Sequence, residues 1–249
     1  MATENNEHAV IAGSGFRSFG ENAKEHQIKT EFGDPSSPLR ELRYGDRTVF
    51  LLSRHGDGLN IPPHRINYRA NLAALKSLGV RRVVGLNTIG VIIAGQHPGE
   101  IAIPDQLIDH TYGRDHSIYD GETDKLDHID FTEPFSERLR QDLCVAAQNA
   151  GIAVHIGGVY AVMQGPRLET TAEVNRLERE GADYVGMTAM PEAALARELD
   201  MDYACLSLIV NYAAGRSENA IHADIDASTE TARTQATKIL QELFRDETS

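Results

Sequence analysis

Two turns that follow apolar segments carry groups able to hold an anion. Gly13-Ser14-Gly15 could surround a phosphate with backbone N–H groups and the Ser14 hydroxyl, or it could be a plain tight turn. Arg54 and His55 follow the second segment. An arginine offers planar, bidentate donation to an oxyanion and stays charged, whereas the alternative is a surface arginine beside a loop histidine. Both turns lie at predicted strand ends, where open α/β sheets bind their ligands.

Three more positions could contact an organic ligand. Glu169 could accept hydrogen bonds from ligand N–H groups, or it could simply sit favourably near a helix N-terminus. Thr188 can donate to an anion and Met187 can lie against a sugar, although methionines at strand ends also belong to cores. Asn211 could read the edge of a heterocycle with one donor and one acceptor, or it could be a turn residue that ends a strand.

The elements that must position these residues alternate between strand and helix. Apolar segments that favour strands, several of them apolar at successive positions, cover residues 9–12, 48–52, 82–86, 101–103, 153–162, 183–187 and 203–210. Helical patterns cover residues 67–78, 136–150, 170–180, 192–199 and 229–244, with Pro191 able to open the fourth. The alternation predicts an α/β fold, a helix–sheet–helix sandwich, and one domain over residues 1–249 with a polar tail at 1–8. The weakly periodic stretch 112–133 is expected to be a surface loop or an assembly segment.

Charge and composition exclude several classes of function. The 249 residues include 37 acidic against 24 basic ones, a net charge of −13, which disfavours nucleic acids and anionic membranes as partners. The N-terminus lacks a secretory pattern, and no apolar run reaches the roughly 18 residues of a membrane span. Cys144 and Cys205 have no disulfide or zinc-ligand spacing. These features indicate a cytoplasmic protein, and an anionic substrate in it needs local cations such as Arg54.

The five segments, in this order, resemble the trimeric purine nucleoside phosphorylase and methylthioadenosine phosphorylase family. The likeness runs from about Val10 to Gly215. It is carried by Gly13-Ser14-Gly15, Arg54-His55-Gly56, Asn67-Tyr68-Arg69-Ala70-Asn71, Pro98-Gly99-Glu100-Ile101, Ser117-Ile118-Tyr119-Asp120-Gly121, Gly165-Pro166-Arg167 and Met187-Thr188-Ala189-Met190-Pro191-Glu192. The resemblance implies the type I nucleoside phosphorylase fold, with a central mixed β-sheet.

The resemblance also implies a role for each matching residue. Phosphate would be held by Ser14, Arg54, His55, the backbone around Thr88, and Thr188, while Met187 would lie on the ribose. Glu169 and Asn211, with Leu168 beside them, would contact the purine, and these two residues and His55 would be the catalytic ones. His128 resembles a residue that a neighbouring subunit lends to the sugar pocket, which implies a homotrimer with sites at subunit interfaces. His222 could align with a histidine that meets a 5′-hydroxyl. No metal or organic cofactor is implied, and inorganic phosphate is a co-substrate.

The chain departs from the family branch that takes 6-aminopurines. That branch has Asp at the position of Asn211, a second Asp where Ala213 stands, and Ser in place of Glu169. An Asn amide can donate to O6 or N7, and Glu169 can accept from the N1–H that only a 6-oxopurine carries. The expected reaction is phosphorolysis of S-methyl-5′-thioinosine to hypoxanthine and 5-methylthioribose 1-phosphate. An inosine and guanosine phosphorylase is the first alternative, and a methylthioadenosine phosphorylase is the second.

Two other classes fit the sequence less well. A dinucleotide-binding oxidoreductase would use the turn at Gly13, but Ser18 stands where its third glycine belongs, and residues 27–32 make a poor second strand. A nucleoside-binding protein without activity would have lost the phosphate ligands. Ser14, Arg54, His55 and Thr188 are all present, which favours an enzyme.

Overall fold

Eleven strands and five α-helices form within the residues that the computed structural model describes, which are 8–13, 23–44, 47–58, 60–119, 121, 126–218 and 225–245. The strands are β1 His8–Ala12, β2 Lys24–His26, β3 Leu39–Tyr44, β4 Arg47–Ser53, β5 Arg82–Val91, β6 Ile101–Ile103, β7 Gln106–His110, β8 Val154–Ile156, β9 Val159–Met163, β10 Tyr184–Gly186 and β11 Asp202–Tyr212. The helices are α1 Tyr68–Ser77, α2 Glu137–Asn149, α3 Thr171–Arg179, α4 Ala189–Glu198 and α5 Ile225–Leu243.

The strands form one mixed sheet around the long strand β5. On one side β5 pairs along its length with β11 in parallel. On the other side it pairs first with β1 in parallel, up to Gly85, and then with β10 in antiparallel orientation from Gly90. No described strand pairs with Leu86–Ile89 on that second side. The sheet therefore has a gap where β1 ends, a type of crevice in which open α/β sheets bind ligands.

Both faces of the sheet are buried under helices, as the runs of successive apolar residues predicted. In β11, Tyr203 and Cys205 pack on one face with residues of α1 and α4. Ala204 and Leu206 pack on the other face with residues of α2 and α5. This alternation within a largely apolar strand confirms the predicted helix–sheet–helix sandwich.

Helices α1, α2 and α3 begin within one residue of the predicted ranges, whereas α5 begins at Ile225, four residues before its predicted start, and strands β2, β3 and β7 were not predicted. Thr170 and Glu173 form a capping box at the start of α3. Helix α4 is assigned from Ala189, but Met190 has non-helical φ and ψ of −114° and 139°, so regular helix begins at Pro191. The segment predicted as one strand over 153–162 is two strands, β8 and β9. The two glycines between them, Gly157 and Gly158, have positive φ and turn the chain.

Two core glycines make room for tyrosines of neighbouring strands. A methyl group at Gly85 of β5 would overlap the hydroxyl of Tyr203, and one at Gly186 would overlap the hydroxyl of Tyr160. Because each ring occupies the space of a missing side chain, each tyrosine lies directly against the backbone of the adjacent strand.

The stretch 112–133 is only partly the surface loop that was predicted. Arg114 is buried, and Glu198 of α4 accepts hydrogen bonds from the Ser117 hydroxyl at 2.9 Å and the Ile118 amide at 2.7 Å. Residues 114–118 therefore belong to the body of the protein. Within the described ranges, no helix is long and apolar enough to cross a membrane.

Candidate active site

A cavity of about 420 Å³ opens at the gap in the sheet where β1 ends. Its walls come from the turns after β1 and β4, the middle of β5, the turn between β9 and α3, the end of β10 and the end of β11. The lining residues are Gly13, Arg54, His55, Asn60, Ile61, Pro62, Pro63, Thr88, Ile89, Gly90, Pro166, Leu168, Glu169, Val185, Gly186, Met187, Thr188, Val210 and Asn211.

The cavity brings together most of the residues that the sequence predicted for a site. Arg54, His55, Thr88, Leu168, Glu169, Met187, Thr188 and Asn211 all line it. His128 is exposed and is not among its lining residues. Ser14 and His222 lie outside the described residues. Residues 60–63 also line the cavity but had no predicted role. The only sequence signal for them is a Gly- and Pro-rich loop after β4.

Arg54 is clamped by a carboxylate that the sequence motif contained but that had no predicted role. Both Arg54 and Glu192 are completely buried. The Arg54 Nε and Nη2 atoms donate to Glu192 Oε1 at 2.8 Å and Oε2 at 2.7 Å, and the Tyr203 hydroxyl donates to the same Oε2 at 2.8 Å. Arg54 also donates to the carbonyls of Leu86 and Ile11. Among the described residues, the fifth Arg54 N–H, on Nη1, has no acceptor.

This clamp changes the electrostatics expected for the cavity. Burial by itself lowers the pKa of Arg54, but the charge and hydrogen bonds of Glu192 outweigh it and raise that pKa well above the usual range. The guanidinium is therefore permanently charged, and its charge is balanced by the Glu192 carboxylate, which does not line the cavity. The pair offers an anion one oriented N–H rather than a free net positive charge.

His55 has a tautomer fixed by the backbone. Its Nδ1 donates to the Ile61 carbonyl at 2.8 Å, because a carbonyl can only accept. Burial and the nearby Arg54 charge lower the pKa of His55, so the ring is neutral at pH 7 and Nε2 is its unprotonated atom. Such an Nε2 accepts a hydrogen bond from a protonated phosphate oxygen.

Thr188 is oriented by Asn87. The Asn87 amide donates to the Thr188 Oγ1 atom at 2.7 Å, so the threonine oxygen already accepts one hydrogen bond. Its own proton is left to donate elsewhere, and Thr188 lines the cavity. The hydroxyl is thus prepared to be a donor to an anion.

The cavity wall also carries groups suited to a heterocycle. A β-bulge at Val210 shifts the register of β11, so that Asn211 pairs beside Gly90. A side chain at Gly90 would lie 2.9 Å from Asn211 Nδ2, so only glycine lets the amide approach β5 this closely. Asn211 Nδ2 donates to the Tyr212 carbonyl at 2.7 Å, which leaves its second N–H and its oxygen for a ligand.

Glu169 faces the same space from the turn before α3. Burial raises the pKa of Glu169; its own backbone amide and Arg167 oppose the rise, while the neighbouring Glu173 charge adds to it. Met187 packs against Gly165, where any side chain would overlap the Met187 sulfur. One turn and one strand end therefore place a carboxylate and an apolar thioether in the same wall.

In the described part of the chain, no group of three or more His, Cys, Asp or Glu side chains could hold a metal ion. The cavity wall carries the hydrogen-bonding groups of Arg54, His55 and Thr188 together with the Asn211 amide and the Glu169 carboxylate.

Comparison with known proteins agrees with this geometry. A protein from Xanthomonas campestris named as a probable S-methyl-5′-thioinosine phosphorylase is 42% identical over 242 residues, covering 95% of this chain and 96% of that protein. The 6-oxopurine nucleoside phosphorylase of Pyrococcus furiosus is 44% identical over 215 residues, covering 84% of this chain and 80% of that protein. The crystal structure of Schistosoma mansoni methylthioadenosine phosphorylase with tubercidin superposes with a TM-score of 0.88 at 32% identity, covering 96% and 90% of the two chains. The family model that matches residues 7–245 is that of the phosphorylase superfamily, and the chain belongs to that superfamily.

Proposed function

We propose that this protein, acting as one domain, cleaves S-methyl-5′-thioinosine with phosphate to give hypoxanthine and 5-methylthioribose 1-phosphate. The observation that carries the proposal is a single cavity that combines oriented anion donors with a purine-reading pair. Arg54, His55 and Thr188 line it together with Glu169 and Asn211. A protein that only bound nucleosides would not need the anion donors Arg54, His55 and Thr188.

In this reaction the oxygen of phosphate attacks C1′ of the ribose as the glycosidic bond to the purine breaks. The sugar passes through a cationic, oxocarbenium-like state, and negative charge collects on the departing purine. Arg54, His55, Thr188 and the backbone around Thr88 hold the phosphate next to that cation, with Ser14 as a further donor, which is a proximity and electrostatic effect. Asn211 and Glu169 stabilise the leaving base. No covalent intermediate with the protein is needed.

The choice of a 6-oxopurine rests on three positions. Asn211 and Glu169 supply a donor for O6 or N7 and an acceptor for N1–H. The third position is Ala213, whose methyl side chain cannot accept from a 6-amino group. Ala213 is buried, and its amide donates to the Val91 carbonyl at 2.8 Å. The names of the relatives from Xanthomonas campestris and Pyrococcus furiosus also specify 6-oxopurine substrates.

An inosine and guanosine phosphorylase is the second candidate, because the Pyrococcus furiosus relative is named as a 6-oxopurine nucleoside phosphorylase. The two candidates differ only in the 5′ group of the sugar. The 5′-methylthio substrate is favoured by the names of four relatives that are 42–46% identical to this chain.

We also propose a cytoplasmic homotrimer in which His128 reaches the sugar pocket of a neighbouring subunit. His128 is exposed and lies outside the cavity of its own chain, as a shared residue would. Tyr112, Leu126 and Leu168 are exposed apolar side chains that subunit contacts would cover. Both cysteines are unpaired, which suits a reducing compartment.

A turnover panel tests the proposal. Methylthioinosine, methylthioadenosine, inosine, guanosine and adenosine are each incubated with enzyme and phosphate, and release of the base is measured with a phosphate-free control. We expect the highest kcat/KM with methylthioinosine. A higher value with inosine or guanosine selects the second candidate. A preference for methylthioadenosine, or release without phosphate, contradicts the proposed function.

A further inference from the structure

Arg114 is a buried arginine in the segment 112–118, between β7 and α2, and it faces four backbone carbonyls. Only 9% of its surface is exposed. Nη1 donates to the carbonyls of Met187 at 2.8 Å and Met190 at 2.6 Å. Nη2 donates to the carbonyls of Gln164 at 2.8 Å and Met163 at 3.2 Å. One guanidinium therefore holds two separate stretches of backbone.

Those two stretches form adjoining parts of the cavity wall, since β9 pairs with β10 and Gly165 contacts Met187. Met163 ends β9, and Gln164 leads into the turn that carries Leu168 and Glu169. Met187 and Met190 flank Thr188, and Met187 itself lines the cavity. Any shift of Arg114 changes the distance between the purine-contacting turn and the sugar-contacting strand end.

The remaining contacts of Arg114 fix its orientation rather than neutralise its charge. Nε donates to the Gln164 side-chain oxygen at 3.1 Å, and the guanidinium lies 5.6 Å from the ring centre of Tyr68. Among the described residues no carboxylate pairs with it. A buried charge that only stabilised the fold would be expected to have a counter-ion, or to be replaced by an apolar residue at no loss. A planar fork of five donors is what four converging carbonyls and an amide oxygen require, and lysine cannot provide it.

We propose that Arg114 is a positioning residue, one that sets Met187 and Glu169 at the spacing needed to bind the nucleoside. The inference rests on the proposed function for its kinetic consequence. Arg114 bonds to neither Arg54 nor His55, so its loss leaves these two phosphate contacts in place, while the segment 187–190, which contains Thr188, and the turn that carries Glu169 lose their shared support. Displacing a substrate-contacting group by about 1 Å reduces turnover by roughly 100-fold.

The kinetic test compares Arg114→Lys and Arg114→Ala with the control Arg69→Lys. Arg69 is also a guanidinium over an aromatic ring, that of Phe32, and it bonds to Asp115, next to Arg114, but it does not line the cavity. We expect kcat/KM for the nucleoside to fall roughly 100-fold in both Arg114 variants, while KM for phosphate rises by a smaller factor because the contacts of Arg54 and His55 are not affected. Added guanidinium ion should restore part of the activity of Arg114→Ala, and methylammonium should not. Equal losses for nucleoside and phosphate, or full activity in Arg114→Lys, overturn the proposal.

Hydrogen exchange separates this inference from the proposed function. Peptides covering 163–169 and 186–190 should both exchange faster in Arg114→Lys than in wild type, and not in Arg69→Lys, whichever nucleoside the enzyme uses. If wild type turns over no nucleoside, the proposed function fails, but faster exchange in both peptides still supports the positioning role. Unchanged exchange in either peptide refutes it.

Discussion

The buried pair of Arg54 and Glu192 gives a prediction that joins stability to phosphate binding. Glu192→Gln keeps the shape of the side chain and removes its charge. The variant leaves a completely buried guanidinium without its counter-ion. The amide N–H then faces either Arg54 Nε, or Arg54 Nη2 together with the Tyr203 hydroxyl. Removing one member of a buried pair costs about 3–5 kcal/mol of unfolding free energy. Since domains have about 5–15 kcal/mol in total, the variant should fold but be clearly weakened.

Phosphate should reverse part of this loss. In wild type the charge of Arg54 is balanced by Glu192, whereas in Glu192→Gln the uncompensated guanidinium borders the cavity. A bound phosphate anion then supplies the missing negative charge. The increase in unfolding free energy on adding phosphate should therefore be larger in the variant than in wild type.

Urea unfolding followed by circular dichroism, at one fixed protein concentration with and without phosphate, measures both effects. Glu198→Gln is the matched control, because Glu198 lies on the same helix α4 and also accepts two hydrogen bonds, but is only partly buried. Glu198→Gln should lose about 1 kcal/mol of unfolding free energy, both with and without phosphate. A loss below about 1 kcal/mol in Glu192→Gln, or a phosphate effect equal to that of wild type, would refute the reasoning about the clamp.

Three further predictions concern the base, the pH and the assembly. Asn211→Asp replaces a donor with an acceptor, so kcat/KM for methylthioinosine should fall by the equivalent of about 2–4 kcal/mol of transition-state stabilisation, while activity on methylthioadenosine rises relative to it. An unchanged ratio of the two kcat/KM values would contradict the 6-oxopurine assignment. The pKa of Glu169 is raised above its ordinary 4.5 by burial, and the ionised carboxylate is a stronger acceptor for N1–H than the protonated acid. Turnover of the 6-oxopurine should therefore decline, as pH falls, at a higher pH than an ordinary Glu would give. Glu169→Gln should lack that limb while keeping any limb due to phosphate; identical profiles would exclude Glu169. The assembly should have three times the mass of the 27.3 kDa chain, and His128→Ala should weaken nucleoside binding; a fully active single chain would rule out shared sites.

The central part of the fold could be predicted because its strands are apolar on both faces. The three strands that the sequence did not predict, β2, β3 and β7, lie toward the two ends of the sheet and are rich in charged or polar residues. β3, with the sequence Leu-Arg-Glu-Leu-Arg-Tyr, has only one buried residue, Leu39. Strands with so little apolar burial have no strong periodic signal, and their pairing decides their structure.

The positions around the cavity were largely visible from residue types at the ends of predicted strands and from motif order. The hydrogen bonds that connect these positions could not be predicted from the sequence. Glu192 stands 138 residues from Arg54, and Arg114 lies 73 residues before Met187. Hydrogen bonds over such distances depend on tertiary packing, which a single sequence does not encode in any local pattern. The same limit explains why Arg114 was predicted to lie in a surface loop or an assembly segment.

The contact between Gly85 and Tyr203 connects the middle of β5 with the clamp on Arg54, the proposed phosphate ligand. Gly85 does not line the cavity, yet an added side chain there must push away the ring whose hydroxyl donates to Glu192. The two positions therefore constrain each other during sequence divergence: a relative with alanine at the first must carry a smaller side chain at the second, and its buried carboxylate must then find a different donor. A substitution in the middle of β5 would thus alter the proposed binding of phosphate by Arg54, although no residue in contact with the anion has changed.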